Sequence, residues 1–308
     1  MTSQPNNQDR QVRIAAFEWL SEQVKIHGDV LPRSLLAEGF VFKEKRIPLI
    51  SPQGIFQPKH FARFPLTITT TTSGIYDDRY DQNDLLLYRY RGTNSQHRDN
   101  VGLRQAMIHR IPLIYLHSMI PGRYLAVWPV FVVGDDPRAL TFTVAADDYI
   151  AVNNYKNDDL PVSYESVGEG RRMYVTASVK QRLHQRGFRE RVIHAYHEQC
   201  AFCRLKHLEL LDAAHIIPDG EPGGEPIVKN GVSLCKLHHA AFDRFLIGIR
   251  PDYTIEVRED ILREKDGPML VHGIQSMHQI KMALPRNSNM WPNAELLERR
   301  YEKFKLAC

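Results

Sequence analysis

The chain has 308 residues, 43% of them apolar, which is long for one domain and enough for two sizeable cores. Its formal charge of +4 is mildly basic and suits an anionic partner without specifying one. No apolar run is long enough to cross a bilayer, and the polar start at 1–10 lacks a secretory apolar region. A membrane role is therefore excluded, and the unpaired pattern of cysteine use predicts a reducing cytoplasm.

Segment 1–45 predicts a helical N-terminal piece. Apolar Ile14, Phe17, Leu20 and Val24 fall at helical spacing, and a second short helix starts at Pro32, with Leu35 and Leu36 inside and Gly39 as its stop. With the apolar runs 40–42 and 47–50, this gives either a small winged-helix-like cap or a plain helical lead-in. From 46 to 152 the pattern changes to short strand-like runs at 66–72, 84–90, 113–117, 124–133 and 140–144, broken by Gly, Pro, Asn and Asp turns. One helix at 102–109 interrupts them. The expectation is a mostly-β domain, a barrel or a curved sheet.

Within it, Ser73-Gly-Ile-Tyr76-Asp77-Asp78-Arg79-Tyr80-Asp81 leads through Asp84 and Leu85 to Tyr88-Arg-Tyr90-Arg-Gly92. Aspartates between tyrosines, then a strand and a glycine turn, are unlike ordinary core sequence. The segment resembles the SRA family of modified-base readers, whose members carry Gly-Tyr-Glu-Asp-Asp, then Asp-Gly-Asp, an apolar strand and Tyr-Thr-Gly. The resemblance implies an SRA/PUA-like barrel in which a flipped cytosine stacks between Tyr76 and Tyr88, at about 1–3 kcal/mol per stacked base. An aspartate would read its pairing edge. The ungapped reader position here is Arg79, so Asp78, one place earlier, is the candidate. The same family has a DNA-probing loop after this strand, which would make His97 and Arg98 DNA contacts. The competing reading is an acidic surface loop with its tyrosines packed on the barrel, followed by an exposed loop.

Residues 153–178, rich in Asn, Asp, Gly and Glu at their start, predict a linker. A helix at 179–196 then offers Leu183, Phe188, Val192 and Ile193 to a second core. Arg171, Arg172, Lys180, Arg182, Arg186, Arg189, Arg191, Arg204 and Lys206 crowd this approach and are candidate phosphate contacts.

The densest chemistry lies between Cys200 and Asp243. Three of the four cysteines sit there as Cys200-x2-Cys203 and Cys235-x2-His238, two half-sites that can close a tetrahedral zinc and clip the intervening hairpin. His215 and His239 are left over. Asp212-Ala-Ala-His215-Ile-Ile-Pro218 reads as a short strand ending at the proline, which leaves the His215 imidazole free to deprotonate water near neutral pH. His239 and Asp243, at i and i+4 on a helix, can grip one divalent ion, and such an ion polarises a phosphate. The bland alternative is a satisfied buried histidine and a helix-surface pair.

This window resembles the HNH, or ββα-metal, endonuclease motif, and the order of its residues resembles the DNase domains of bacterial colicins. The resemblance implies that His215 is the general base, that Asn230 pins the loop orienting it, and that His239 and Asp243 hold the catalytic metal. Many members carry Asp or His just before the base as a further ligand. Here that position is Ala214, and Asp212, on the same strand face, is a candidate to substitute as that ligand. Beyond the window, 246–249 and 253–257 predict a hairpin and 293–305 a charged helix.

The combination predicts an α+β protein with a reader at 46–152 and a zinc-stapled HNH nuclease domain at 179–308. It is similar to bacterial SRA-HNH modification-dependent restriction endonucleases. That similarity implies hydrolysis of double-stranded DNA near a 5-methyl- or 5-hydroxymethylcytosine, with structural Zn2+ and a catalytic Mg2+ or Mn2+. A break in both strands needs two sites, so a homodimer is expected. A modification-blind or phosphorothioate-directed nuclease, a non-enzymatic zinc-stabilised DNA-binding protein and an RNA nuclease are the alternatives.

Overall fold

The computed structural model describes residues 7–52, 54–58, 64–70, 79–81, 85–147, 167–265 and 267–307. It divides into two compact units, Met1–Leu183 and His184–Cys308.

In the first unit the elements run α1 (Asn7–His27), β1 (Val30–Pro32), α2 (Arg33–Glu38), β2 (Phe40–Phe42), β3 (Lys45–Ile47), β4 (Ile55–Phe56), β5 (Thr67–Thr70), β6 (Arg79–Tyr80), β7 (Leu86–Arg89), α3 (Arg98–Ile108), β8 (Leu113–Ile120), β9 (Arg123–Asp136) and β10 (Thr141–Ala146). Eight strands form one sheet in the order β4-β5-β8-β9-β10-β7-β6, with β1 paired to β9 off this path. All pairs are antiparallel except β5 with β8. The mixed α+β class matches expectation, as does a curved sheet in this unit. Among the described residues no hydrogen bonds join β4 to β6, and the strands form a curled sheet.

Alternation explains why β8 and β9 read as near-continuous apolar runs. Leu113, Tyr115 and Met119, with Leu125, Val127, Val130 and Val132, enter one core. Ile114 and Leu116, with Tyr124 and Ala126, enter the other. Successive side chains on a strand point to opposite faces, and here both faces are covered. Val12, Ala16, Phe17 and Leu20 of α1 fill one side, whereas Leu103 and Ala106 of α3 fill the other. A buried ion pair fixes α1 in place: Arg13 Nε lies 2.7 Å from Asp9, and its other nitrogens donate to the carbonyls of Phe64, Pro65 and Pro112. The N-terminal helical segment is thus built into the sheet's core.

A long helix, α4 (Val167–Ala195), follows. Its start corrects the expectation of a linker through 178 and a helix from 179. The glycines and charges at 167–172 hide the helical period in the sequence, and packing decides instead. The hydroxyl of Thr176 accepts from the Ala146 amide at 2.9 Å, and Val179 and Leu183 join the sheet's core.

In the second unit β11 (Leu211–His215), β12 (Gly231–Cys235) and α5 (Lys236–Asp243) make a ββα unit. It is followed by β13 (Ile247–Ile249), β14 (Ile255–Val257), α6 (Glu259–Arg263), α7 (Pro268–Gly273) and α8 (Ala294–Leu306). The β13–β14 hairpin and α8 agree with the sequence reading. β11 and β12 pair antiparallel, Leu211 opposite Cys235 and His215 opposite Gly231. The hairpin therefore carries the cysteine at one end and the candidate base at the other. Phe188 and Val192 of α4 pack on it so closely that a Cβ on Gly231 would lie 2.4 Å from Val192 and 2.9 Å from Phe188. That approach is why glycine follows Asn230. Among the described residues no helix is long and apolar enough to cross a membrane.

Candidate active site and zinc-binding group

At the Cys235 end, Cys200, Cys203, Cys235 and His238 bring their donor atoms within 4.8 Å of one another. His238 Nδ1 lies 3.4 Å from Cys200 Sγ and 3.1 Å from Cys235 Sγ, and the Cys203 and Cys235 sulfurs are 4.0 Å apart. A tetrahedral zinc with bonds of about 2.0–2.3 Å separates its donors by about 3.5–3.8 Å, so the group fits. Cys200 and Cys203 flank a knuckle closed by the Arg204 amide donating to the Cys200 carbonyl at 2.9 Å. Cys235 ends β12, and His238 sits in the first turn of α5. His238 Nε2 donates to the Gly273 carbonyl at 2.7 Å, which leaves Nδ1 bare to ligate. No side chain announces that carbonyl, so the sequence is silent on it. Cys200, Cys235 and His238 are buried and Cys203 is exposed.

At the other end, His215 closes β11 with its ring stacked on Phe188, centroids 4.0 Å apart and planes 18° apart. Burial pulls the His215 pKa below the ordinary imidazole value, nearby His239 pulls the same way, and Asp219, Asp243 and Asp212 only partly offset it. The ring is consequently neutral, and able to take a proton, at neutral pH. Its Nε2 is buried and meets no hydrogen-bonding group among the described residues. A buried nitrogen of this kind is open to a water, an ion or a reactant.

Asn230 is fully buried. Its side-chain oxygen accepts from the Ile217 amide at 2.9 Å, and its nitrogen donates to the carbonyls of Ile217 and Glu225 at 3.0 and 3.1 Å. Three bonds from one amide thus fix the backbone that leaves His215. His239 and Asp243 share one face of α5, with Nε2 3.3 Å from Asp243 Oδ2. Asp212, one strand away, places Oδ2 3.6 Å from His239 Nδ1. Held between the two carboxylates, the His239 pKa is raised to about 9, Asp212 contributing first and Asp243 second. Half-exposed nitrogen and carboxylate donors side by side fit a hard divalent cation that keeps several of its waters.

Three arginines bond to backbone carbonyls here in ways the sequence did not disclose. Arg300 of α8, 7% exposed, donates to the Ile216 carbonyl at 3.1 Å and the Phe242 carbonyl at 2.8 Å and lies 3.5 Å from Asp243. It clamps the backbone after the base to the end of the helix that carries Asp243. Burial lowers its pKa to about 10, so it remains a cation at neutral pH. Arg189, expected to contact phosphate, instead donates to the carbonyls of Leu208 and Leu211. Arg191 donates to Pro226.

Of the residues expected to read a base, Tyr76 and Asp78 lie outside the described residues. Tyr88 sits in β7 opposite Phe142, 7% exposed, its hydroxyl donating to the Thr69 carbonyl at 3.3 Å. His97 caps α3, its Nδ1 accepting from the Asp99 amide at 3.2 Å, and Arg98 projects into solvent with Nε 3.2 Å from Asp99.

Residues 200–250 match the family described as HNH endonuclease. No curated protein matches the chain at a significant level. Among solved structures the chain is similar to the "Modification dependent TagI restriction endonuclease", with 15% identity and a TM-score of 0.27 over 78% of this chain and 81% of that one. It is also similar to the "Type IV phosphorothioation-dependent restriction endonuclease ScoMcrA", with 14% identity and a TM-score of 0.22 over 57% of this chain and 49% of that one. The chain carries an HNH endonuclease domain and is a metal-dependent DNA endonuclease.

Proposed function

We propose that this endonuclease is directed by a modified base, which its first unit binds and its second unit answers by cutting double-stranded DNA nearby. The observation that carries the reading is the segment 73–92, whose order of tyrosines and aspartates resembles a modified-cytosine pocket and which belongs to a β unit separate from the nuclease unit. In this reading Tyr76 stacks on the flipped base, Asp78 reads its edge, and His97 and Arg98 touch the duplex, whereas Tyr88, expected as the second stacking ring, is packed in the core of the sheet and is not offered to a base. The favoured base is 5-methyl- or 5-hydroxymethylcytosine. Two copies of the chain, one for each strand, complete a double-strand break in the bacterial cytoplasm.

In the cutting step His215 draws a proton from water, whose oxygen bonds to phosphorus as the bond to the leaving sugar oxygen breaks. Asn230 holds the base in register through its three backbone bonds. His239 and Asp243 would hold Mg2+ or Mn2+, which supplies neutralisation of the phosphate and of the leaving oxygen. Cys200, Cys203, Cys235 and His238 would hold Zn2+ and take no part in the chemistry.

The test is cleavage of one duplex sequence carrying cytosine, 5-methylcytosine, 5-hydroxymethylcytosine, N6-methyladenine or a phosphorothioate linkage. Cutting confined to a modified cytosine supports the reading. Equal cutting of all five would leave a modification-blind nuclease.

A further inference from the structure

Asp212 is not an HNH name-giving residue, yet it lies against the metal-ligand histidine. One of its oxygens, Oδ1, accepts from the Ala213 amide at 2.9 Å and lies 3.7 Å from Arg189 Nε. Arg189 is itself held by the carbonyls of Leu208 and Leu211 at 3.0 and 2.9 Å. The other oxygen, Oδ2, is left facing His239 Nδ1 at 3.6 Å, a few tenths of an ångström beyond a hydrogen bond. Asp243 approaches the same ring from its other nitrogen, Nε2, at 3.3 Å. The two nitrogens of an imidazole direct their lone pairs away from each other. A cation shared by Nε2 and Asp243 is therefore not the one that a carboxylate at Nδ1 can reach. Consistent with this, the cysteine–histidine group is the one set among the described residues in which three or more such donors converge within 4.8 Å.

We propose that Asp212 is a positioning residue: it accepts the Nδ1 proton of His239 in a hydrogen bond, fixes the tautomer and ring angle, and leaves Nε2 bare for the cation. The order of support runs from the β11 backbone through Arg189 to Asp212 and then His239, an outer-sphere carboxylate on a ligating histidine. Asp212 therefore does not replace the carboxylate that Ala214 lacks. It makes the remaining nitrogen donor a better one. The inference rests on the proposed cation at His239 and Asp243.

The experiment uses the full chain and its Asp212→Ala and Asp212→Asn variants, each first checked for one zinc per chain. Mn2+ affinity is measured by titration calorimetry, and the His239 Nδ1 proton is followed by NMR of 15N-histidine chain saturated with Mg2+. Ala should weaken Mn2+ about 10–100-fold and lose the protected Nδ1 proton. Asn, whose amide oxygen still accepts from Nδ1, should recover most of both. Unchanged affinity and an unchanged Nδ1 proton in the Ala variant would overturn the proposal. So would equal loss of Mn2+ in Ala and Asn with the Nδ1 proton intact, since that marks a direct ligand. Failure of the wild-type chain to bind Mn2+ sinks the underlying cation site. Binding by wild type with no change in Ala sinks only the role of Asp212.

Discussion

The β11–β12 hairpin and the helix after it hold histidines in two opposite settings. At the Cys235 end four donors converge, three of them buried, and the histidine's spare nitrogen is tied to the Gly273 carbonyl. In the group formed by Asp212, His215, His239 and Asp243 the donors stand half-exposed, two carboxylates approach opposite edges of one ring, and the neighbouring imidazole keeps a buried nitrogen that meets no hydrogen-bonding group among the described residues. A closed shell suits a staple, and open positions suit a reaction. His238 and His239 are adjacent in sequence and divide these tasks because successive helix residues point about a quarter-turn or more apart.

The comparison breaks most sharply if the staple is removed. Stripping zinc with a strong chelator, or the change Cys200→Ser, should abolish the cooperative unfolding transition of the second unit and all cutting, although His215, His239 and Asp243 are untouched. The apparent zinc contribution in such sites is about 10 kcal/mol or more, and calorimetry with a cleavage assay checks it. Asn230→Ala should leave the Ile217 amide and carbonyl unpaired, with the Glu225 carbonyl keeping its bond from the Ile227 amide, costing roughly 3 kcal/mol in denaturant unfolding. Cutting should be slowed while zinc content stays at wild type. Arg300→Lys, which cannot span both carbonyls, should cost about 2 kcal/mol by the same measurement. The smallest effect is expected from Phe188→Leu. The folded His215 pKa is depressed chiefly by burial, so the wild-type base stays neutral, and active, below the ordinary imidazole value. Exposing the ring raises that pKa, and the acid limb of the rate profile should move to higher pH. Cutting should fall a few-fold near pH 6 by this titration and remain unchanged near pH 8.

The sequence disclosed most about the region where chemistry restricts residue type and spacing. Zinc demands thiolates and imidazoles in pairs, so Cys200, Cys203, Cys235 and His238 stand out, and the i, i+4 spacing of His239 and Asp243 survives into the helix at 3.3 Å. Strands β8 and β9 were equally visible, because a sheet covered on both faces leaves long apolar runs. Contacts set by tertiary register were hidden. Asp212 meets His239 only once α5 packs on β11. Arg300 lies in a helix whose charges read as solvent-facing, and Arg189 spends donors on carbonyls that no motif predicts. The first half of α4 was masked by glycines and charges that only packing on the sheet turns into helix.

The central claim is that the hairpin's open end cuts and its closed end does not. It is tested most directly by His215→Ala, assayed on duplex DNA with Mg2+ or Mn2+ beside zinc analysis and a binding titration. The account predicts one zinc per chain, unchanged DNA affinity and a cleavage rate lower by at least about a hundredfold. Cutting at the wild-type rate with zinc and binding intact would contradict it.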